Sequence, residues 1–402
     1  MPVGRTQLVT GAGGFIGTQL VKRLVLDGTT VRALVRSEAS ARQLRSLGCE
    51  ICFGDVTEPA SVDAAVRGVD VVFHCVWGGD TISESRAVNV EGTRHVVMAA
   101  GRAGVRRVVH VSTFAVHDSQ RSGRITESAH GPVGRGAYAL SKAEAEAVAL
   151  EAGPRLNLEI VVVRPTLVYG PGSQPWVMQP FWRVKHERIV LIDHGRGLAN
   201  LVYRDDLVEG LILAATTPGV SGEVFLLSGA EPVTWRDYLG HFARMCGKTP
   251  PPSMSLTRAR LAVVGSKWHR RLTGLERRLD ERDVRLMTER CAVDISKARQ
   301  RLGFVPRVTL DEGMARTEAW LRQCGYLPPL GSDCRPEVVM THGRSKVASR
   351  NLSSRVPAPP TPLVHTPVAL PLGTAERAIG CQRARLGPTR NRPATTRREP
   401  RP

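Results

Sequence analysis

Short runs of apolar, mostly β-branched residues alternate with longer stretches whose apolar positions recur every three to four residues through position 164. The short runs Gln7–Thr10, Thr30–Val35, Glu50–Phe53, Val69–His74, Val108–Val111 and Leu158–Arg164 predict six strands. Between them, Phe15–Leu26, Ala39–Leu47, Pro59–Arg67, Arg86–Ala103 and the alanine-rich Ala137–Ala152 predict helices. Four of these meet a glycine at their end: Gly28, Gly48, Gly68 and Gly104. Helices inserted between short strands imply parallel pairing in a doubly wound α/β sheet of the Rossmann type. The strands are unbroken apolar runs, as expected when both faces of the sheet are covered.

After Pro165 the pattern loosens. Gly170-Pro171-Gly172 marks a loop, Asp205–Ala215 and Trp235–Cys246 read as helices, and Val224–Ser228 reads as a strand. Ser253–Arg290 is basic and partly helical, and Asp294–Leu302 and Leu310–Cys324 are two last helices. The expected organisation is a dinucleotide-binding core over 1–164 and a smaller substrate-binding part over 165–330 that returns some strands to the sheet. Residues 331–402 hold 11 prolines, scattered arginines and no apolar period, which reads as a disordered tail.

Charge changes the picture little. Of the formal +19, the tail carries +9, and no nucleic-acid recognition motif accompanies it, so a nucleic-acid partner is not expected. Eight cysteines include the pair Cys49 and Cys52, without a second pair or histidines to complete a metal set. No secretory signal or membrane-length apolar run is read, and a reducing cytoplasm fits the cysteine usage.

The first candidate chemistry is the run Thr10-Gly11-Ala12-Gly13-Gly14-Phe15-Ile16-Gly17, set between a strand and a helix. Gly11 suits a tight turn, Gly14 a close approach of backbone to a ligand, and Gly17 close packing of helix on strand. The arrangement aims the helix N-terminus, opened by Phe15 and Ile16, at a diphosphate, and so implies a dinucleotide. The second is Tyr138-Ala139-Leu140-Ser141-Lys142 at the start of the alanine-rich helix. Residues four apart share a helix face, and an ammonium near a phenol favours the phenolate and lowers its pKa from about 10. Ser112 and Thr113 follow the fifth strand, where hydroxyls of a parallel sheet point into the ligand crevice.

These motifs stand in order with Gly54-Asp55-Val56, Phe73-His74, Asn89-Val90-Glu91-Gly92-Thr93, Arg164 through Gly172, Asp205-Asp206 and Asp294 through Phe304. The whole resembles the extended short-chain dehydrogenase/reductase family, which includes sugar-nucleotide epimerases and dehydratases and 3β-hydroxysteroid dehydrogenases; it covers about residues 5–325. The resemblance implies that Tyr138 is the acid/base and that Lys142 binds the nicotinamide ribose and lowers the tyrosine pKa. It makes Thr113 the catalytic hydroxyl, with Ser112 beside it. It implies adenine contacts from Asp55 and Val56, a cofactor lining from His74, Cys75 and Val76, and a supporting role for Asn89. Pro165 through Val168 would run beside the nicotinamide. A homodimer is the family's habit.

Two departures carry information. Where an NAD site usually offers an acid at the end of the second strand, this chain has Val35 and then Arg36. A guanidinium there suits a 2′-phosphate, with Arg42 in support, so NADP(H) is favoured over NAD(H), although Glu38 lies close by. Dehydratases of the family carry an Asp-Glu pair directly after Ser-Thr, whereas this chain has Phe114-Ala115, which argues against water elimination. The usual Tyr-Gly that follows is His117-Asp118. The expectation is therefore hydride transfer between NADP(H) and a carbinol or ketone, with an epimerase as the alternative within the family and a non-catalytic NADP sensor as the alternative of another class. The segment 253–290 places Arg258, Arg260, Lys267, Arg270 and Arg271 beside Leu261, Val263, Val264 and Trp268. It suits a phosphorylated ligand, weak contact with a membrane surface, or a solvated lid.

Overall fold

The computed structural model of the chain describes residues 6–117, 122–128, 136–273 and 279–329, the side chains at 122 and 266–273 apart. The tail read as disordered over 331–402 lies outside the described residues, as do the side chains of Lys267, Trp268, Arg270 and Arg271. The first half runs β1 (Thr6–Thr10), α1 (Phe15–Leu26), β2 (Val31–Val35), α2 (Glu38–Arg45), β3 (Glu50–Phe53), α3 (Pro59–Ala65) and β4 (Val69–His74). The short α4 (Ile82–Ser85) then passes through a π-helical turn, Arg86–Glu91, into α5 (Gly92–Arg102), and β5 (Arg107–Val111) and a 3-10 turn, Phe114–Val116, follow. After β6 (Ser122–Ile125) come α6 (Ala137–Arg155), β7 (Glu159–Pro165) and β8 (Leu167–Tyr169).

The second half contains α7 (Gln179–Lys185), β9 (Leu191–Ile192), β10 (Leu201–Tyr203), α8 (Arg204–Thr216), β11 (Val224–Leu227) and α9 (Trp235–Met245). It closes with β12 (Ser253–Met254), α10 (Leu256–Thr273), α11 (Glu281–Thr288), β13 (Arg290–Val293), α12 (Ser296–Leu302) and α13 (Leu310–Gln323). The basic stretch 253–290 thus holds two helices, α10 and α11.

Seven strands form one sheet in the order β11-β7-β5-β4-β1-β2-β3, and every pair in it is parallel. The order reverses between β1 and β4, which opens a crevice at the carboxyl ends of the strands. Side chains alternate faces along each strand. Val9, Phe73, Val109, Val161 and Val163 pack with Leu20, Leu24 and Leu207 on the α1/α8 side. Leu8, Val72, Val108, Ile160 and Val162 pack with Val96, Val97 and Ala149 on the α5/α6 side. A second core is aromatic. Tyr169, Phe181, Trp235, Tyr238 and Phe242 are buried together after the last Rossmann helix, and Tyr238 meets Tyr169 and Phe242 edge to face.

Two two-stranded parallel pairs tie the halves together, β10 with β8 and β13 with β6, and β12 pairs with β9 within the second half. Asn200 reinforces the pair of β13 and β6, because its Nδ2 donates to the Cys291 carbonyl at 2.9 Å and its Oδ1 accepts the Val293 N–H at 3.2 Å. No described helix is long and apolar enough to cross a membrane, and the described residues contain no metal-ligand cluster.

Arg107 is the largest fully buried side chain, 1% exposed at the start of β5. Its guanidinium spans the sheet, donating to Glu159 at 2.7 Å and to the carbonyls of Ala214 and Thr217 at 2.8 Å each. It therefore satisfies carbonyls at the end of α8 that would otherwise be orphaned. Arg107→Ala is expected to cost about 3 kcal/mol of stability, since it empties the site and leaves the Ala214 and Thr217 carbonyls without it. Urea unfolding followed by circular dichroism measures it.

Candidate active site at the carboxyl edge of the sheet

The glycine turn is built as its spacing requires. Gly11 has φ +67°, and a Cβ there would lie 2.9 Å from the Cys75 carbonyl oxygen. A Cβ on Gly17 would lie 2.2 Å from the Gly11 carbonyl oxygen, so α1 can pack this closely only with glycine there. Gly13 and Gly14 are exposed, and the N–H groups of Phe15 and Ile16 open α1 without intrahelical acceptors. This exposed cradle at a helix N-terminus fits the diphosphate of a dinucleotide.

Beside it, Asp55 Oδ1 accepts the N–H and hydroxyl of Thr57, both at 2.9 Å, while Oδ2 stands 3.5 Å from Arg36. Val56 is buried under α5, where Gly92 leaves it room, and its carbonyl oxygen lies 2.9 Å from His95 Nδ1 on the same helix, so its side chain faces the core. Arg204 joins the site without any local motif to announce it. Its guanidinium lies 5.5 Å from the Phe15 ring and donates to the Pro171 carbonyl at 2.8 Å, closing the loop 170–172 over the glycine turn.

At the centre, Tyr138 and Lys142 project from the first turns of α6 toward the ends of β4 and β5. Lys142 is fully buried, and its Nζ donates to the Val111 carbonyl at 2.7 Å and the Val76 carbonyl at 3.4 Å. Burial lowers its pKa to about 8, against the opposing pull of the Glu146 carboxylate one turn on. The Tyr138 phenol is raised by burial, and a hydrogen bond with Thr113 and the positive charge of Arg282 oppose that rise. The expected lowering of the phenol by Lys142 is not what this structure displays. The ammonium is turned to the two strand-end carbonyls, and Thr113 is the polar side chain that acts on the phenol in its place. Thr113 also caps the 3-10 turn, its Oγ1 accepting the Ala115 N–H at 3.2 Å. Ser112 is buried with its hydroxyl unbonded among the described residues.

Beneath these groups lies a polar layer between the sheet and helices α5 and α6. His74 is 1% exposed, bonded through Nδ1 to Thr10 Oγ1 at 2.8 Å and through Nε2 to Thr93 Oγ1 at 3.0 Å. Thr93 gives its own proton to the Asn89 carbonyl at 2.6 Å. Its oxygen therefore accepts from Nε2–H, and Nδ1 accepts from Thr10. Asn89 in turn donates to Ser141 Oγ at 2.9 Å, and Ser141 donates to the Tyr138 carbonyl at 3.1 Å. The π-helical turn, 86–91, gives Asn89 this reach. His74 thus lies under the crevice rather than on its surface, because the alternation along β4 turns it toward α5. Cys75 and Val76 follow at the strand end, with the thiol pushed up to about 12 by burial.

His110, fully buried, packs against His74 with ring centroids 5.3 Å apart and the rings tilted by 38°. Burial and the Lys142 charge push His74 down to about 3 and His110 well below the usual imidazole range, so both rings are neutral. Pro165 ends β7 against Leu227, and Val168 is buried in β8, which puts the segment expected beside the nicotinamide at the same edge.

Three further groups stand here that the sequence reading does not anticipate. Trp77 is 54% exposed and meets the Tyr138 ring edge-on at 5.8 Å. Glu146 and Arg164 form a nearly buried ion pair, with Oε2 and Nη2 2.5 Å apart. His110 makes the third. Glu146 continues the four-residue spacing of Tyr138 and Lys142, a signal present in the chain.

The chain matches the model of the NAD dependent epimerase/dehydratase family over residues 7–228. It is 33% identical over 337 residues to a 4-hydroxy-2-methyl-3-oxo-4-farnesyl-3,4-dihydroquinoline-1-oxide ketoreductase of Stigmatella aurantiaca, covering 82% of this chain and 98% of the relative. A 2-alkyl-3-oxoalkanoate reductase of Stenotrophomonas maltophilia is 30% identical over 330 residues, covering 78% and 98%. Among solved structures, MoeE5 in complex with UDP-glucuronic acid and NAD superimposes with a TM-score of 0.64 at 25% identity, covering 80% of this chain and 100% of that one.

Lys142 allows a test of the site's energetics. Its pKa is below that of an unfolded lysine, so between about pH 8 and 10.5 the unfolded chain binds more protons and stability rises with pH. Below pH 8 the buried charge costs about 3 kcal/mol, at about 1.4 kcal/mol per pKa unit. Lys142→Met is expected to stabilise the cofactor-free protein at pH 7 and to lose that advantage by pH 10.5, as read from thermal melts across the range.

Proposed function

Because the chain belongs to the NAD dependent epimerase/dehydratase family, whose extended short-chain dehydrogenase/reductase pattern it carries, we propose that it is an NADPH-dependent ketoreductase acting on an apolar ketone. The observation that carries this reading is the Tyr138 phenol beside the Thr113 side chain at the crevice, with Lys142 anchored behind it. The bound nicotinamide supplies or accepts hydride. Tyr138 gives its proton to the carbonyl oxygen on reduction and takes it back on oxidation, and Thr113 holds that oxygen. Lys142, charged below about pH 8, holds the ribose and supports negative charge on the phenol. Phe114 and Ala115, where an eliminating enzyme needs an acid and a base, leave no agent for dehydration.

Several observations favour NADPH. Glu38, the one acid in the turn after β2, is drawn off by Arg45 on α2. Arg36 is 76% exposed and held only by its long contact with Asp55. Ser37 caps α2 by accepting the Ser40 N–H, and Ser40 lies against Gly13. Together they leave a guanidinium, two hydroxyls and a helix N-terminus around the place of a 2′-phosphate, which supports NADP(H).

Trp77 sets the substrate class. An exposed indole edge-on to the catalytic ring offers an apolar wall beside the reacting atoms, in keeping with the farnesyl and alkyl groups in the names of the two relatives. The part after 165 would supply the facing wall. An epimerase would use the same Tyr138 and Lys142 but consume no net NADPH.

The direct test is NADPH oxidation against a panel of β-keto acids, alicyclic ketones and nucleotide sugars. Tyr138→Phe is expected to lower kcat by about 10²-fold or more, with NADPH binding retained; unchanged turnover would remove Tyr138 from the chemistry. Arg36→Ala is expected to raise the KM for NADPH about 10- to 100-fold, as for a lost charge-assisted hydrogen bond, with little effect on NADH. Equal effects on both cofactors would contradict the 2′-phosphate assignment.

A further inference from the structure

His117 occupies the place where the family pattern has a tyrosine, and no step assigned above uses it. It closes the 3-10 turn that begins at Thr113: the Val116 N–H meets the Thr113 carbonyl at 3.4 Å and the His117 N–H meets the Phe114 carbonyl at 3.1 Å. The catalytic hydroxyl and this imidazole therefore sit at the two ends of one stiff turn. The His117 Nε2 lies 3.1 Å from Arg164 Nη1. A guanidinium can only donate and does not lose its charge, so Nε2 must offer a lone pair. The ring is neutral in this arrangement, with its proton on Nδ1.

Arg164 is a node. Its Nε and Nη2 grip the Glu146 carboxylate at 2.9 and 2.5 Å, and Nη1 also reaches the Glu127 carbonyl at 3.4 Å. Glu146 lies eight residues after Tyr138 and four after Lys142 on α6. Arg164 itself precedes Pro165 on β7. One guanidinium thus joins the Thr113 turn, the helix of Tyr138 and Lys142, and the strand beside the nicotinamide. Around the imidazole stand Arg164 from β7, Glu146 from α6 behind that guanidinium, and Glu127 from the segment after β6, whose carboxylate accepts the Leu226 N–H at 2.9 Å. The Phe114 ring lies 5.9 Å away on its own turn.

We propose that His117 is a positioning residue: its neutral imidazole locks the Thr113 turn onto the Arg164–Glu146 pair, and its protonation releases that turn and switches the site off. An imidazolium cannot accept from Arg164, and the two like charges repel at this distance. Since the guanidinium cannot yield, the turn must. Thr113 then loses its fixed distance to Tyr138 while the glycine turn is untouched, so kcat falls and cofactor binding does not. A tyrosine at this place does not titrate near neutral pH, so the switch is particular to a chain with histidine here.

The proposal rests on the ketoreductase reading for its kinetic arm only. With a ketone that the enzyme turns over, kcat is expected to fall about tenfold per pH unit on the acid side as His117 protonates, with the Kd for NADPH, read by fluorescence, constant. His117→Gln keeps an acceptor that does not titrate; it should hold kcat near wild type at pH 7.5 and flatten the acid limb. His117→Phe keeps the ring but not the acceptor; it should lower kcat about tenfold at every pH. An acid limb that survives in His117→Gln, or full kcat at pH 7.5 in His117→Phe, overturns the proposal. Long-range ¹H–¹⁵N spectra of the imidazoles, assigned by the missing signal in His117→Gln, decide it without any substrate. A neutral ring protonated on Nδ1 supports it, and one protonated on Nε2 overturns it. Absence of turnover with every ketone would count against the ketoreductase reading, while the tautomer seen in those spectra would still decide the role of His117.

Discussion

The site is organised around one buried ammonium. Taking a charge out of water costs several kcal/mol unless polar groups replace the solvent, and Lys142 is 1% exposed. Two strand-end carbonyls, Val111 and Val76, take its protons, which fixes β4 and β5 relative to α6. Burial, and its charge after that, keep His74 and His110 neutral. Glu146 favours the charged form from one turn below, and Arg164 in turn neutralises Glu146. Removing water from around Lys142 therefore goes with a whole layer of polar groups, most of them hydrogen-bonded, with Ser112 and His110 the exceptions among the described residues.

That layer explains an asymmetry of the sheet. On the α1/α8 side the strands present valine, alanine and phenylalanine up to their carboxyl ends. On the α5/α6 side the apolar rows give way, near the same ends, to Thr10, His74, His110, Ser112 and Arg164. The face that carries chemistry is the one with a hydrogen-bonded underside, running from Thr10 through His74, Thr93, Asn89 and Ser141 to the backbone of Tyr138. Such a chain is directional and holds α6 in register with the glycine-turn strand, which apolar packing alone would permit to slide.

Some of this is legible in the sequence, and the rest is hidden for identifiable reasons. Long runs with one period, such as Phe15–Leu26 and Val69–His74, are readable because many residues agree, and these elements stand where expected. The glycine turn and the Tyr138–Lys142 pair are legible because their spacing is local. By contrast, β6, β8, β9, β10, β12 and β13 have only two to four residues each. Their pairing is parallel with partners far along the chain, so nothing local announces them. The helical stretch leading into α5 begins earlier than its apolar period suggests, because Thr81 and Glu84 form a capping box ahead of the expected start at Arg86. Arg164, Glu146 and His117 are each visible as residues, yet their meeting depends on three elements brought together by the sheet order. Trp77 lacks any signal, since an aromatic after a strand is ordinarily core.

The sheet order has a consequence for how the protein is made. The edge beyond β7 is closed by β11, which the ribosome supplies only at residues 224–227. At about 5–20 residues per second, β7 waits several seconds with its outer row of amides and carbonyls unpaired. Its centre is Ile160 through Val163, an apolar run that is a ready template for another chain. The nascent polypeptide, caught between these two strands during translation, is thus the state of this molecule most open to aggregation, and the speed of synthesis over that interval bears directly on its yield.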